Sequence, residues 1–274
     1  MIRKALRSIY RRIPFRRALF EAIRPYRLPQ RLYQHLHFSG PFRSYLGFRM
    51  EARGEKIENE LFWGGDWERK SLEIWSSQSR QANLIIDIGA NTGVYALAAK
   101  AANPAARVIA FEPIARIAEL MRHNVAMNNY DIQVEAVAVS DRTGTATIHD
   151  VADGMNYGAS LEDFPGNQTS YEIQTVSLDD YLASRDWPRV DLIKVDVETH
   201  EPAVFRGMQE TIERLKPTIL VEVLNDDIGR QLVQRGYEYF AIDEKAGLVP
   251  VPRPQPLGGR NWNNLLVPST PAAL

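Results

Sequence analysis

From residue 83 the chain alternates short apolar runs with amphipathic stretches, and that rhythm limits the possible fold more than any other feature. Leu84–Ile88 and residues 108–111, 132–139, 190–197 and 217–223 read as main strands. Val94–Ala102 and residues 114–128, 202–215 and 226–235 read as the helices that follow them. Strands reached through helices call for a mostly parallel sheet covered on both faces. Residues 146–149 and 173–176 form a strand-like excursion before the fourth main strand. Ser177 is placed to cap a short helix over Leu178–Ala183, with Asp179 and Asp180 at its positive end. Residues 237–242 and 264–267 close the series as an expected antiparallel hairpin. The expected fold class is α/β, a Rossmann-like, seven-stranded, mostly parallel sheet over residues 83–268.

The first strand runs into Asp87-Ile-Gly-Ala-Asn-Thr-Gly93. Gly89, Asn91 and Gly93 shape a turn whose backbone can approach a ligand closely, and the helix beyond offers free N–H groups. The spacing is G-x-x-x-G, not the G-x-G-x-x-G of a dinucleotide site, and no G-K-[ST] phosphate loop is present. Asp87 would repel a pyrophosphate but suits a sulfonium or an ammonium. Glu112 ends the second strand within Ala110-Phe-Glu-Pro113, where an acid can accept bonds from both ribose hydroxyls. It could instead cap the helix entered through Pro113. Asp141, after the third strand, is placed to reach an adenine amino group, or to serve as a turn residue.

The densest polar cluster at a strand end is Asp196-Val-Glu-Thr-His-Glu201. Asp196, Glu198 and His200 are the candidate catalytic bases. His200 has the intrinsic pKa best suited to taking a proton near neutrality. Strand alternation would put Asp196 and Glu198 on one side, unless the strand ends before Glu198. The bland alternative makes Glu198 and Glu201 helix caps and His200 a loop residue. Asp196, Glu222 and Asn225 could offer oxygen ligands to a divalent cation, but the favoured reading has no metal. His123 reads as an ordinary helix residue. Residues 153–160 and the aromatics Trp63 and Trp67 are candidates for covering the pocket.

Five motifs together resemble the FkbM-type methyltransferases: Asp87-Ile-Gly-Ala-Asn-Thr-Gly93, Phe111-Glu-Pro113, Ala136-Val-Ala-Val-Ser-Asp141, Ser177-Leu-Asp-Asp180 and Ile193-Lys-Val-Asp-Val-Glu198. They fall in family order across residues 83–225. The resemblance implies the class I methyltransferase fold, with strands in order 3-2-1-4-5-7-6 and S-adenosyl-L-methionine as cofactor. It also implies O-methylation of a hydroxyl on a sugar, glycolipid or secondary metabolite. Asp87, Gly89, Asn91, Gly93, Glu112 and Asp141 would then bind the cofactor. Family members commonly carry glycine where this chain has Thr199. Two other readings compete: a nicotinamide-dependent oxidoreductase, and a non-catalytic cofactor-binding module at a membrane. The first lacks the glycine spacing and a Tyr-x-x-x-Lys pair; the second is disfavoured by the retention of Asp87 and Glu112.

Charge divides the chain. Residues 1–53 carry 13 Lys/Arg against Glu21 and Glu51, while the rest carries 20 basic and 32 acidic residues. Residues 1–54 therefore read as a basic amphipathic arm, with two short helices before Pro25 and irregular chain after it, and 55–82 as a helical, aromatic preamble. Residues 1–24 are suited to peripheral contact with an anionic membrane. An acidic domain argues against a nucleic-acid partner. Cysteine is absent, which excludes disulfides, thiolate metal sites and a cysteine nucleophile. With neither an apolar span nor a secretory h-region, the expected location is cytoplasmic, at the inner membrane surface.

Overall fold

The computed structural model describes residues 39–53, 56–63, 67–151, 161, 168–185, 189–259 and 261–269. The expected basic helices of the arm and the loop 153–160 lie outside the described residues. Contacts divide the chain into two compact units, Met1–Arg69 and Lys70–Leu274.

In the first unit, β1 (Ser39–Arg43) and β2 (Arg49–Arg53) form an antiparallel hairpin with Phe42 opposite Met50. It stands in a stretch whose proline and glycine breakers predict irregular structure. The turn closes through a Ser44 N–H bond to the Phe48 carbonyl at 2.8 Å. Helix α1 (Lys56–Trp63) follows, and Phe62 meets the Phe42 ring edge-on at 5.7 Å. The Glu58 carboxylate accepts the Arg53 N–H at 2.8 Å.

The second unit is built on one sheet. Its parallel part comprises β3 (Leu84–Ile88), β4 (Arg107–Phe111), β5 (Ile132–Glu135), β9 (Leu192–Val195) and β10 (Thr218–Glu222). It is completed by β11 (Tyr237–Asp243), β12 (Gly247–Val251) and β13 (Asn263–Pro268). Strand order is β12-β11-β13-β10-β9-β3-β4-β5. Without β12 this is the expected 3-2-1-4-5-7-6, so the sheet has eight strands instead of seven. The expected terminal hairpin is also different: β11 turns back into β12, and β13 inserts antiparallel between β10 and β11.

β3 is buried at every position, which is why its sequence is a nearly continuous apolar run. Odd and even positions serve different faces. Ile86, Ile88, Ile109, Phe111, Ile193 and Val195 share a core with Leu182, Val204, Phe205 and Ile212. The opposite face of β3 and β9 carries Asp87 and Lys194, register partners across the sheet. Helix α2 (Arg69–Ser79) precedes β3; α3 (Val94–Ala102) and α4 (Ala115–Met127) follow β3 and β4.

Residues 132–139 do not form one strand. β5 stays in the main sheet, while β6 (Ala138–Val139) joins β7 (Gly144–Val151) and β8 (Gln168–Val176) in a separate sheet of order β6-β8-β7. Ala138, Ile148 and Ile173 pack there with Ile114 and Ile117 of the α4 region. Ser177 caps α5 (Leu178–Ala183) as expected, accepting the Asp180 N–H at 3.1 Å. The helix expected over 202–215 breaks into α6 (Glu201–Arg206) and α7 (Gln209–Leu215). The break has two causes. A Cβ on Gly207 would overlap the Ser140 carbonyl oxygen, and Asp179 of α5 caps α7 by accepting the Thr211 and Glu210 N–H groups at 2.8 and 3.0 Å. Helix α8 (Asp226–Gln231) is shorter than its predicted span. No helix among the described residues is long and apolar enough to cross a membrane.

Candidate active site

The site lies at the carboxyl ends of β3, β4 and β9, where a doubly wound sheet holds its ligands. Gly89 has φ 77°, and a Cβ there would overlap the backbone carbonyl of Asp196. Only glycine lets the two loops close this tightly. The Gly89 and Ala90 N–H groups both donate to the Phe111 carbonyl, at 3.1 and 2.9 Å. Asn91 is left-handed at φ 50°, and its N–H donates to Glu112 Oε2 at 3.0 Å. Gly93 ends the turn as N-cap of α3.

Glu112 is buried, and its second oxygen accepts the Ile114 N–H at 2.9 Å. It therefore caps the entry to α4 and braces the glycine turn together. A carboxylate has about four acceptor positions, so two hydrogen bonds leave capacity for ribose hydroxyls. Burial pushes its pKa up to about 7, against the pull of the Ile114 and Asn91 amides and the Arg116 guanidinium.

Asp87 is 1% exposed, and neither of its oxygens completes a hydrogen bond. Burial raises its pKa to about 6, while the Lys194 ammonium and the Ala96 amide favour the charged form. A buried carboxyl whose oxygens keep acceptor capacity beside a glycine turn fits a cationic ligand.

The sequence 196–201 departs from its predicted geometry. β9 ends at Val195, and Glu198 and Thr199 take left-handed φ values of 51° and 79°. Alternation consequently does not set Asp196 and Glu198 on one side. Thr199 occupies the place where the resembled family commonly has glycine, and a β-branched residue at that φ is strained by about 1–3 kcal/mol. Asp196 Oδ2 accepts from Lys194 Nζ at 2.7 Å. His200 is the N-cap residue of α6, and its Nε2 lies 3.0 Å from Ser140 Oγ. Asp141 is beside Ser140 and pairs with Arg206 at 3.5 Å. Two groups thus form: Asp87, Lys194 and Asp196 under the glycine turn, and Ser140, Asp141, His200 and Arg206 at the β6 and α6 ends.

Lys194 and Glu201 were not among the predicted site residues. Lys194 had a signal, a cation inside an otherwise apolar strand. Glu201 is fully buried; Oε1 accepts the Val197 N–H at 3.1 Å, and Oε2 has no partner. Burial raises its pKa to about 7, and Asp196 and Glu198 raise it further. Glu222 ends β10, one position past the Val221–Val195 pair. Asn225 spends its side-chain oxygen capping α8, accepting the Ile228 N–H at 2.9 Å. Among the described residues no cluster of three His, Asp or Glu could hold a metal ion. His123 is exposed on α4. The Trp63 side chain lies outside the described residues, and Trp67 belongs to the first unit.

The profile of the methyltransferase FkbM domain matches residues 87–239, more than half of the chain. The chain belongs to the FkbM methyltransferase family. Its FkbM domain therefore runs from Asp87 through the first half of β11, taking in every residue of the two groups above. The chain is 27% identical over 182 residues to the 31-O-demethyl-FK506 methyltransferase FkbM of Streptomyces tacrolimicus, covering 56% of this chain and 68% of that protein. It is 28% identical over 158 residues to the 2-O-methyltransferase NoeI of Sinorhizobium fredii, covering 53% and 65%. Against the hexuronic acid methyltransferase AglP of Haloferax volcanii it is 24% identical over 156 residues, covering 57% and 62%. The chain thus spans about two thirds of the length of these relatives. Among solved structures, the methyltransferase FkbM of Methylobacillus flagellatus is similar at 17% identity and TM-score 0.42, over 68% of this chain and 43% of that one. The family is one of S-adenosylmethionine-dependent methyltransferases, and the orphaned Asp87 carboxyl, the Gly89 turn and the spare acceptor capacity of Glu112 fit that cofactor.

Proposed function

We propose that this FkbM-family chain methylates a hydroxyl of a small-molecule, sugar or glycolipid acceptor. S-adenosylmethionine, when bound, supplies a methyl group already activated on a sulfonium. Asp87 would face the cationic end of the cofactor, Glu112 its ribose hydroxyls, the Gly89–Gly93 backbone its amino-acid portion, and Asp141 its adenine.

One observation carries the assignment of the base. Asp196 stands directly against the glycine turn through its carbonyl, while its carboxylate is held by Lys194. A carboxylate so placed can take the proton of an acceptor hydroxyl as its oxygen attacks the methyl carbon in line with the breaking C–S bond. His200 is committed to Ser140, and we assign that pair to ordering the adenine side. Glu198 is assigned to acceptor contact at the loop. No metal enters the scheme.

The relatives' names indicate hydroxyl and uronic acid chemistry, which supports the acceptor class. The deciding test is an acceptor screen with methyl-labelled cofactor, followed by mass spectrometry of the labelled product. O-methylated products are expected; label found only on nitrogen or carbon would overturn the hydroxyl assignment. We extend the proposal to residues 1–24, whose Arg side chains and Ile2, Leu6, Ile9 and Ile13 suit an anionic bilayer. Flotation with anionic vesicles should be lost when Arg7, Arg11 and Arg12 are changed to Glu.

A further inference from the structure

Lys194 is 2% exposed, on the face of β9 opposite the main apolar core. Its ammonium has three protons to place and is buried away from the surface. One goes to Asp196 Oδ2 at 2.7 Å. The Tyr95 ring lies 4.4 Å from Nζ, close enough for a cation–π contact. That ring is itself fixed: Trp75 Nε1 donates to the Tyr95 carbonyl at 2.9 Å, and the two rings meet edge-on at 5.7 Å. Across the sheet Lys194 is the register partner of Asp87. One buried cation therefore stands between a carboxyl assigned to the cofactor and a carboxylate assigned to the acceptor.

Stability alone does not account for such a residue. A buried ion pair is often no better than apolar side chains of the same volume, and β9 is otherwise apolar. Removing only the cation would leave the buried Asp87 beside the partly exposed Asp196 with no positive charge between them. We propose that Lys194 is a positioning residue for methyl transfer, keeping Asp87 ionised toward the bound cofactor and Asp196 aimed at the acceptor, so that both half-sites depend on one cation. The inference rests on the cofactor assignment made above for Asp87. The groups acting on Asp87 are Lys194 and Asp196 from the β9 end and the Ala96 amide from α3; its β4 register partner is the uncharged Ala110.

The test is calorimetric titration of the full chain with S-adenosylmethionine, from pH 5.5 to 8.5. Wild-type affinity should be level above about pH 7 and fall through about pH 6, where Asp87 takes up its proton. Lys194→Met should bind at least about tenfold more weakly at pH 7 and recover toward pH 8.5, because Asp87 now ionises only at higher pH. Lys194→Arg should keep the wild-type pH course. Asp87→Asn should flatten the course, and adding Lys194→Met to it should change little. If Lys194→Met superimposes on wild type, or weakens Asp87→Asn by the same factor as wild type, the inference is overturned and Lys194 is a packing residue. Lys194→Gln makes the same comparison should the Met variant not fold. Wild-type protein that fails to bind at any pH would overturn the cofactor assignment itself along with the inference.

Discussion

The backbone carbonyl of Asp196 occupies the space where a side chain at Gly89 would begin. That contact joins the turn after β3 to the loop after β9, so the cofactor pocket and the candidate base are set by one close approach. Gly89→Ala must push the two loops apart and hold alanine at φ 77°. The positive φ alone costs about 1–2 kcal/mol, before the overlap is relieved. The variant should retain its fold, melt at lower temperature and lose the thermal shift that S-adenosylhomocysteine gives wild type. An unchanged ligand-induced shift would show that the approach has no part in binding.

Glu201 carries a stability cost that depends on pH. Its carboxyl has a pKa near 4.5 in unfolded chain and about 7 in the folded protein, raised mainly by burial. Below pH 4.5 it is neutral in both states; between pH 4.5 and 7 the folded state binds the extra proton. Its favourable contribution is therefore present at low pH and lost as pH rises to about 7, a change on the order of a few kcal/mol. Glu201→Gln keeps an oxygen for the Val197 N–H and replaces the orphaned Oε2 with a donor beside acidic neighbours. The variant should gain melting temperature over wild type at pH 8 and much less at pH 5. Equal gains at both pH values would mean that ionisation is not the cause.

Much of this site was legible because its chemistry sits at element ends. Asp87 and Glu112 were found by place, each closing an apolar run before a turn, and the structure puts both beside the Gly89–Gly93 loop. The side on which Glu198 lies was open because alternation holds only while a strand lasts, and β9 ends at Val195, before it. The strained φ of Thr199 had one hint, the glycine of the resembled family. Lys194 stands inside a short apolar run, and what satisfies it there are tertiary contacts with Asp196 and Tyr95. The break of 202–215 goes with the Ser140 carbonyl lying against Gly207 and with Asp179 capping α7. No local pattern contains those contacts.

Asp196 and His200 should separate kinetically. If Asp196 takes the acceptor proton, Asp196→Asn should lower kcat by about 10²–10⁴-fold with little change in the KM for S-adenosylmethionine. His200→Ala deletes the partner of Ser140, beside Asp141, and should chiefly raise that KM. Steady-state kinetics with the acceptor found in the labelling screen decides between them. A large kcat loss in His200→Ala with near-normal Asp196→Asn would transfer the base role to the histidine.

The Arg116 guanidinium bonds both carboxylate oxygens of Asp150 at 3.0 Å, tying the start of α4 to the end of β7. Asp150 is buried and Arg116 partly exposed. Arg116 also helps keep Glu112 ionised, and Asp150 opposes it, so this tie touches both the excursion sheet and the ribose position. Arg116→Met strands the Asp150 carboxylate in a site with little water, at a cost of roughly 1.5–3 kcal/mol as for other charged hydrogen bonds. The loss should be local, because among the described residues β7 and β8 pair with each other and with β6. Hydrogen exchange should accelerate over Gly144–Val151 and Gln168–Val176 and stay slow in β3 and β4. Asp150→Asn removes the stranded charge, so the double variant should be less destabilised than the sum of the single ones. Additive losses, or faster exchange throughout the main sheet, would show that the pair does not specifically anchor the β7–β8 hairpin.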